Sequence, residues 1–324
     1  MLPIDMPLEE LKQYRPPLTK EPDFDAFWQR TIGEARLQPL NPAMEPVDDF
    51  PVPEVEVFRA SYDGFRGGRS VGWYLRPRNR TAGEKLPAMV VFHGYSGNKG
   101  QAHQYLHYAL QGYSVLALDV RGQSGESSDA GRYDTGHVSG WMTMGILDPE
   151  RYYYRGVYMD CLRAADLMAS LPEVDASRMG ATGISQGGGL ALAAAALSGR
   201  FSLTMPDVPY LCHYRRALEV AQQGPYLELS NFFRVFPERE EEAFRTLSYF
   251  DNFNLADRIS CPVLMSVGLI DLICPPSSIY AAFNYIPAAE KHMAIYRYHA
   301  HEIPPYHVTE QIRWASRYLR GLDV

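Results

Sequence analysis

Arg178-Met179-Gly180-Ala181-Thr182-Gly183-Ile184-Ser185-Gln186-Gly187-Gly188-Gly189-Leu190-Ala191-Leu192 is the stretch on which the reading of the fold turns. A short strand at Arg178 to Thr182 runs into Gly183-Ile184-Ser185-Gln186-Gly187, and a helix from Gly187 to Leu197 follows. The five central residues match G-x-S-x-G between a strand and a helix. A strand that turns sharply into a helix needs small residues two positions either side of the serine, because side chains there would meet neighbouring backbone. The turn exposes the serine hydroxyl above the carboxyl ends of the strands. It also sets a helix N-terminus, with its unpaired N–H groups, beneath an oxygen that gains negative charge. Ser185 is therefore read as a nucleophile, against the plainer reading of a Gly-rich helix start.

Working outward from this turn, apolar runs alternate with helical stretches. Ala88 to His93 and Ser114 to Asp119 are continuous apolar runs, as expected of strands buried on both faces, with a helical stretch from His103 to Leu110 between them. A helix from Arg155 to Ser170 precedes the Ser185 strand. After it come a strand at Leu203 to Met205, a strand at Pro262 to Val267, a helix at Ser277 to Tyr285, a strand at Met293 to Tyr298 and a helix at His307 to Leu319. Such alternation predicts an α/β fold with a mostly parallel central sheet covered by helices on both faces.

Two segments depart from the pattern, and the whole chain, 1–324, is expected to be one domain around a single core. Residues 1–85 predict a helix near 23–36, with Asp23 and Asp25 at its acidic start, and an antiparallel hairpin of Glu54 to Ala60 and Ser70 to Leu75. Residues 208–258 are rich in aromatic and charged side chains and predict a helical insertion, with Glu238 to Glu242 as a solvated helix face.

Composition narrows the function classes. The 324 residues are 46% hydrophobic and 21% charged, ordinary globular values. Lys and Arg number 31 against 38 Asp and Glu, a formal charge of −7, which argues against a nucleic-acid-binding surface. No apolar run reaches the roughly 18–20 residues of a membrane span. Met1 to Glu10 has neither a basic start nor a continuous apolar region, so no secretory signal is expected. The four cysteines, Cys161, Cys212, Cys261 and Cys274, lack C-x-x-C spacing. Neither a zinc site nor a disulfide scaffold is expected, and a cytoplasmic protein with reduced thiols is the default reading.

A serine nucleophile needs a base and a group that orients the base, and this turn's usual chain order is Ser, acid, His. The strand Pro262 to Val267 leads to Asp271, and the next strand leads to His299-Ala300-His301-Glu302, both on the sheet edge expected to carry Ser185. His301 is preferred to His299, which lies nearer the strand. His292 precedes that strand, His307 starts the last helix, and Asp251 and Asp257 read better as helix caps. The loop His93-Gly94-Tyr95-Ser96-Gly97 follows the first parallel strand. It places the Tyr95 N–H as one candidate oxyanion donor, with the N–H of Gln186 as the other. His93 itself reads as a brace. His103 and His107 lack the Glu of H-E-x-x-H, and prolines break any helix after His301-Glu302, so no metal or other cofactor is expected.

Arg121-Gly122-Gln123, the turn around Ser185 and His301-Glu302 together resemble the R-G-Q, G-x-S-Q-G and H-E signatures of one group of proteins. This is the acetyl xylan esterase/cephalosporin C deacetylase family, carbohydrate esterase family seven, with an α/β-hydrolase fold. The likeness extends through Gly145 to Asp148, Tyr152 to Arg155, Asp207 to His213 and Cys274-Pro275-Pro276. It implies Ser185 as nucleophile, His301 as base, Asp271 as its orienter and the amides of Tyr95 and Gln186 as the oxyanion hole. Arg121, Gln123 and Glu302 would be structural residues near the site. It further implies metal-free removal of acetyl groups from small acetylated sugars and cephalosporin C, by a hexamer enclosing a chamber. Leu272 stands where the resemblance implies Asn, so a polar wall group is expected to be missing. Ile303-Pro304-Pro305-Tyr306 replaces a Gly-rich stretch and predicts a stiffer loop. A general short-chain carboxylesterase, a serine peptidase and a non-catalytic binding protein on the same scaffold are the competing readings.

Overall fold

The Ser185 strand lies in the middle of a nine-stranded sheet in the computed structural model, which describes residues 4–81, 83–133 and 138–322. The strands are β1 (Ala43–Pro46), β2 (Val55–Asp63), β3 (Arg69–Pro77), β4 (Leu86–Phe92), β5 (Ser114–Leu118), β6 (Val174–Ile184), β7 (Leu203–Asp207), β8 (Val263–Gly268) and β9 (Lys291–Tyr296). They are ordered β1-β2-β3-β5-β4-β6-β7-β8-β9. β1, β2, β3 and β5 pair antiparallel, and every pair from β5 across to β9 is parallel. The carboxyl ends of β4 through β9 therefore share one edge, where ligands of such sheets bind.

The helices are α1 (Leu8–Leu11), α2 (Phe24–Leu37), α3 (Leu106–Ala109), α4 (Tyr153–Ser170), α5 (Gln186–Ser198), α6 (Tyr214–Val220), α7 (Tyr226–Val235), α8 (Glu240–Tyr249), α9 (Asn252–Leu255), α10 (Pro276–Tyr285) and α11 (His307–Ala315). α5 has no polar face: Leu190 to Leu197 alternates leucines with alanines and is buried but for the half-buried Ala196. A helix apolar all round belongs inside, and this one packs on β4, β6 and β7 beneath α4. It ends at Gly199, whose φ of +65° forms a left-handed cap. The helices α6 to α9 occupy the segment between β7 and β8. The N-terminal segment crosses from them to α10: Asp5 bonds Arg216 and the Ser277 N–H, and Asn284 donates to the Leu11 and Tyr14 carbonyls. Among the described residues no helix is long and apolar enough to cross a membrane.

Several element boundaries differ from the sequence reading. β6 begins at Val174, four residues early, because a register shift between Leu86 and Ala88 lets the polar Asp175-Ala176-Ser177 stay within the strand. The predicted helix from His103 is a 3-10 turn, Ala102–Tyr105, followed by one α-turn. β9 includes His292 and stops at Tyr296, whose carbonyl accepts from Leu269 and His299. β1, four residues long and ending in Pro46, is too short a sequence to announce itself.

Asp251 caps α9, accepting from Phe253 N–H at 3.0 Å, and also accepts from the amides of His213 and Tyr214 at 2.6 and 3.0 Å. Asp257 instead pairs with Lys20 on the surface. Burial pushes the Asp251 carboxyl up to about 7, against the pull of those three N–H donors. An unfolded Asp titrates near 4, so this group's contribution to stability is complete below that value and is lost as pH rises through about 7. Asp251→Asn is expected to flatten the fall in thermal midpoint between about pH 4 and 7. An unchanged slope would assign the titration to another group.

Candidate active site

Ser185 is forced into its position by the turn. Its backbone sits at φ +58° and ψ −119°, a conformation that costs a non-glycine residue about 1–3 kcal/mol. Flanking bonds hold it there: Ser185 N–H donates to Asp207 O at 2.9 Å, and its own carbonyl accepts from Gly189 and Tyr210 at 3.0 and 2.9 Å. The glycines on either side are steric necessities. A Cβ on Gly183 would stand 2.4 Å from Phe92 O, and one on Gly187 would stand 2.0 Å from the same oxygen.

The structure brings Ser185, His301 and Asp271 together. His301 Nε2 lies 2.8 Å from Ser185 Oγ, and His301 Nδ1 lies 2.7 Å from Asp271 Oδ2. Asp271 is fully buried at the end of β8, and its other oxygen accepts the amides of Ile273 and Cys274 at 2.8 and 2.9 Å. A carboxylate so used can only accept from His301. The ring proton therefore sits on Nδ1, which leaves Nε2 to accept from the serine hydroxyl. Asp271, Cys274 and His301 also bring potential metal-ligand atoms within 4.8 Å of one another, but both ring nitrogens of His301 are already engaged.

Tyr95 and Gln186 flank Ser185 from two elements. Gln186 is the first residue of α5, so its N–H has no intrahelical acceptor. In the loop after β4, Gly97 N–H donates to Gly94 O, and Ser96 N–H donates to Gln123 Oε1 at 3.0 Å. No acceptor holds the Tyr95 N–H among the described residues. The buried amides of Gln123 and Gln186 pair with each other at 2.9 and 3.1 Å, and Tyr154 OH donates to Gln186 Oε1. Gln123 thus ties the Tyr95 loop to the start of α5, a role its sequence position alone does not reveal. Arg121 is buried in a two-pronged pair with Asp160, at 2.6 and 2.8 Å, and donates to Phe65 O. His93 bridges Gly94 O and Val120 N–H, which fixes the same loop.

Other sequence candidates lie elsewhere. His299 and Glu302 pair with each other at 3.1 Å on the surface and do not touch the Ser185 group. His307 is buried, with Nε2 2.7 Å from Asp207 Oδ1 and Nδ1 2.6 Å from Tyr296 OH. Asp207 also accepts from Ser266 and Gln311, while its carbonyl holds Ser185. This array has no short-range signature.

A cleft of about 520 Å³ opens over Ser185 and His301, lined also by Gly94, Tyr95, Ser96, Ile184, Gly224, Pro225, Glu228 and Ile273. Leu272 is not on that wall, so the expected loss of a polar wall group does not arise from its side chain; Ile273 lines the cleft, while the Leu272 carbonyl accepts from Gln222 and Gln223. A second cleft of about 450 Å³, beside Arg66, Arg121 and Arg155, lies away from Ser185, and these three arginines are paired with Glu34, Glu150, Asp129 and Asp160.

The profile of the acetyl xylan esterase (AXE1) family matches residues 1–318. The solved acetyl xylan esterase from Paenibacillus sp. R4 is 45% identical, with a TM-score of 0.94 over 97% of this chain and 100% of that one. Acetyl xylan esterase 1 from Thermoanaerobacterium sp. JW/SL YS485 is 36% identical, with a TM-score of 0.91 over 96% and 98% of the two chains. The acetyl esterase Axe7A of Xylanibacter ruminicola is 30% identical over 284 residues, which cover 85% of this chain and 62% of that relative's length. On an α/β-hydrolase fold, this chain belongs to the acetyl xylan esterase family of carboxylic ester hydrolases.

Proposed function

We propose that this protein is a serine esterase that removes O-acetyl groups from small acetylated carbohydrates such as xylo-oligosaccharides. The observation that supports it most directly is the unbroken chain from Asp271 through His301 to Ser185, at 2.7 and 2.8 Å, opening on a cleft. In this reading Ser185 Oγ attacks the acetyl carbonyl carbon as His301 takes the hydroxyl proton. The carbonyl oxygen gains its negative charge beside the amides of Tyr95 and Gln186. The bond to the sugar oxygen then breaks, and His301 returns the proton to the leaving alcohol. Water, deprotonated by His301, attacks the acetyl-enzyme, and acetate leaves as Ser185 regains its proton.

The names of the relatives favour acetylated xylan fragments as substrate, and the resemblance extends the proposal to the acetyl ester of cephalosporin C. Ile184, Pro225 and Ile273 give the cleft apolar surface close to Ser185, suited to a short acyl group. Acetyl esters are expected to exceed butyryl esters in kcat/KM by about tenfold or more, since added methylenes in a fitted pocket carry that order of discrimination. Acetate should also be released from acetylated xylo-oligosaccharides. Equal rates on both acyl chains, with no acetate from the sugars, would favour a general carboxylesterase. Assembly as a hexamer is part of the same proposal, and a monomer by light scattering would refute that part.

A further inference from the structure

Glu228 of α7 lines the same cleft as Ser185 and His301 and is the one carboxylate among the described lining residues. It is held from two other segments. Tyr95 OH lies 2.7 and 2.8 Å from its two oxygens, and Met142 N–H donates to Oε2 at 3.0 Å. Trp141 N–H donates in turn to Tyr95 OH at 2.7 Å, and the Trp141 ring meets the Tyr95 ring edge-on. Space for the carboxylate exists only because residue 140 is glycine: at its φ of +106°, a Cβ would stand 2.0 Å from the carboxylate.

This network leaves acceptor capacity unused. Two carboxylate oxygens offer about four lone-pair directions, whereas Tyr95 has a single proton to share and Met142 supplies one more. No basic side chain pairs with Glu228 among the described residues. Burial raises its carboxyl above the usual range, and the Tyr95 and Met142 donors pull it back. A half-buried carboxylate with no cation and spare lone pairs on a cleft wall is suited to a ligand that brings hydroxyl donors. Its place is also telling. Tyr95 carries a candidate oxyanion amide at its backbone and touches Glu228 with its hydroxyl, so the carboxylate stands one tyrosine side chain from the reacting carbonyl, the scale of a sugar ring. Ile184, Pro225 and Ile273 offer a sugar no competing charged acceptor.

We propose that Glu228 accepts a hydrogen bond from a free hydroxyl on the alcohol half of the ester, so that the cleft selects acetyl esters of polyols over those of plain alcohols. This inference rests on the esterase reading above. The test is the ratio of kcat/KM for methyl mono-O-acetyl-xylopyranoside to that for p-nitrophenyl acetate, which has no hydroxyl. Glu228→Gln and Glu228→Ala are expected to lower the ratio about tenfold, mainly through KM for the sugar ester. On the wild-type protein, O-methylation of the sugar's remaining hydroxyls is expected to lower kcat/KM by a similar factor, whether or not the variants fold. A ratio unchanged in both variants, with the two rates falling together, would overturn the proposal and leave Glu228 as a brace for Tyr95. Full tolerance of O-methylation would overturn it as well. Ser185→Ala on p-nitrophenyl acetate reports the esterase reading separately, so the two failures are distinguishable.

Discussion

Ser185→Ala is expected to lower kcat for p-nitrophenyl acetate by about 10⁶-fold, the order seen when a hydrolase loses its serine nucleophile. The change removes one oxygen whose contacts are with His301 Nε2 and the Cys274 thiol. The amide bonds to Asp207, Gly189 and Tyr210 that hold the turn involve backbone only and survive it. The thermal midpoint should therefore stay within a few degrees of wild type, apart from the small cost of alanine at φ +58°. Residual activity would come from the amides of Tyr95 and Gln186 acting on water attack. A variant within tenfold of wild type would remove Ser185 from the reaction.

Asp271→Asn is expected to cost about 10⁴-fold in kcat, through the proton position on His301 and without displacing a heavy atom. The amides of Ile273 and Cys274 both point at Oδ1, so an asparagine must place its carbonyl oxygen there. Its NH₂ group is then left facing His301 Nδ1. That nitrogen must accept, the ring proton moves to Nε2, and the base can no longer take the Ser185 proton. The substitution is nearly isosteric, so circular dichroism and the thermal midpoint provide the control for folding. A loss smaller than tenfold would show that Asp271 does not orient the base.

The parts of the site that follow from local sterics were readable in the sequence. A turn that tolerates no Cβ on Gly183 or Gly187 leaves its mark within five residues. Loops that follow parallel strands must gather on one edge, which is why Asp271 and His301 could be placed near Ser185 from their strands alone. The parts that depend on contacts across the chain were not readable. The backbone N–H of Gln186 could be read as a donor from its place after Ser185, but the pairing of its side chain with Gln123, 63 positions away, could not. Glu228 sits in a helix of mixed composition, and nothing nearby in sequence points to Tyr95, 133 residues earlier. The extra length of β6 was concealed because its polar start is accommodated by a register shift against β4, with the surplus residues in β6 itself, a property of the pair.

The bond between Ser185 N–H and the Asp207 carbonyl has a consequence for how the protein is made. The Asp207 carboxylate is gripped by His307 and Gln311, 100 and 104 residues further along the chain. A ribosome therefore exposes Ser185, its turn and most of the sheet well before it delivers His301, or the helix that clamps the Asp207 carboxylate. Through that interval the Ser185 hydroxyl lacks its bond to His301. On the proposed mechanism, full hydrolysis is expected only once His301 and α11 have joined the sheet, and polypeptides released before that point are expected to fall to the residual level of Ser185→Ala.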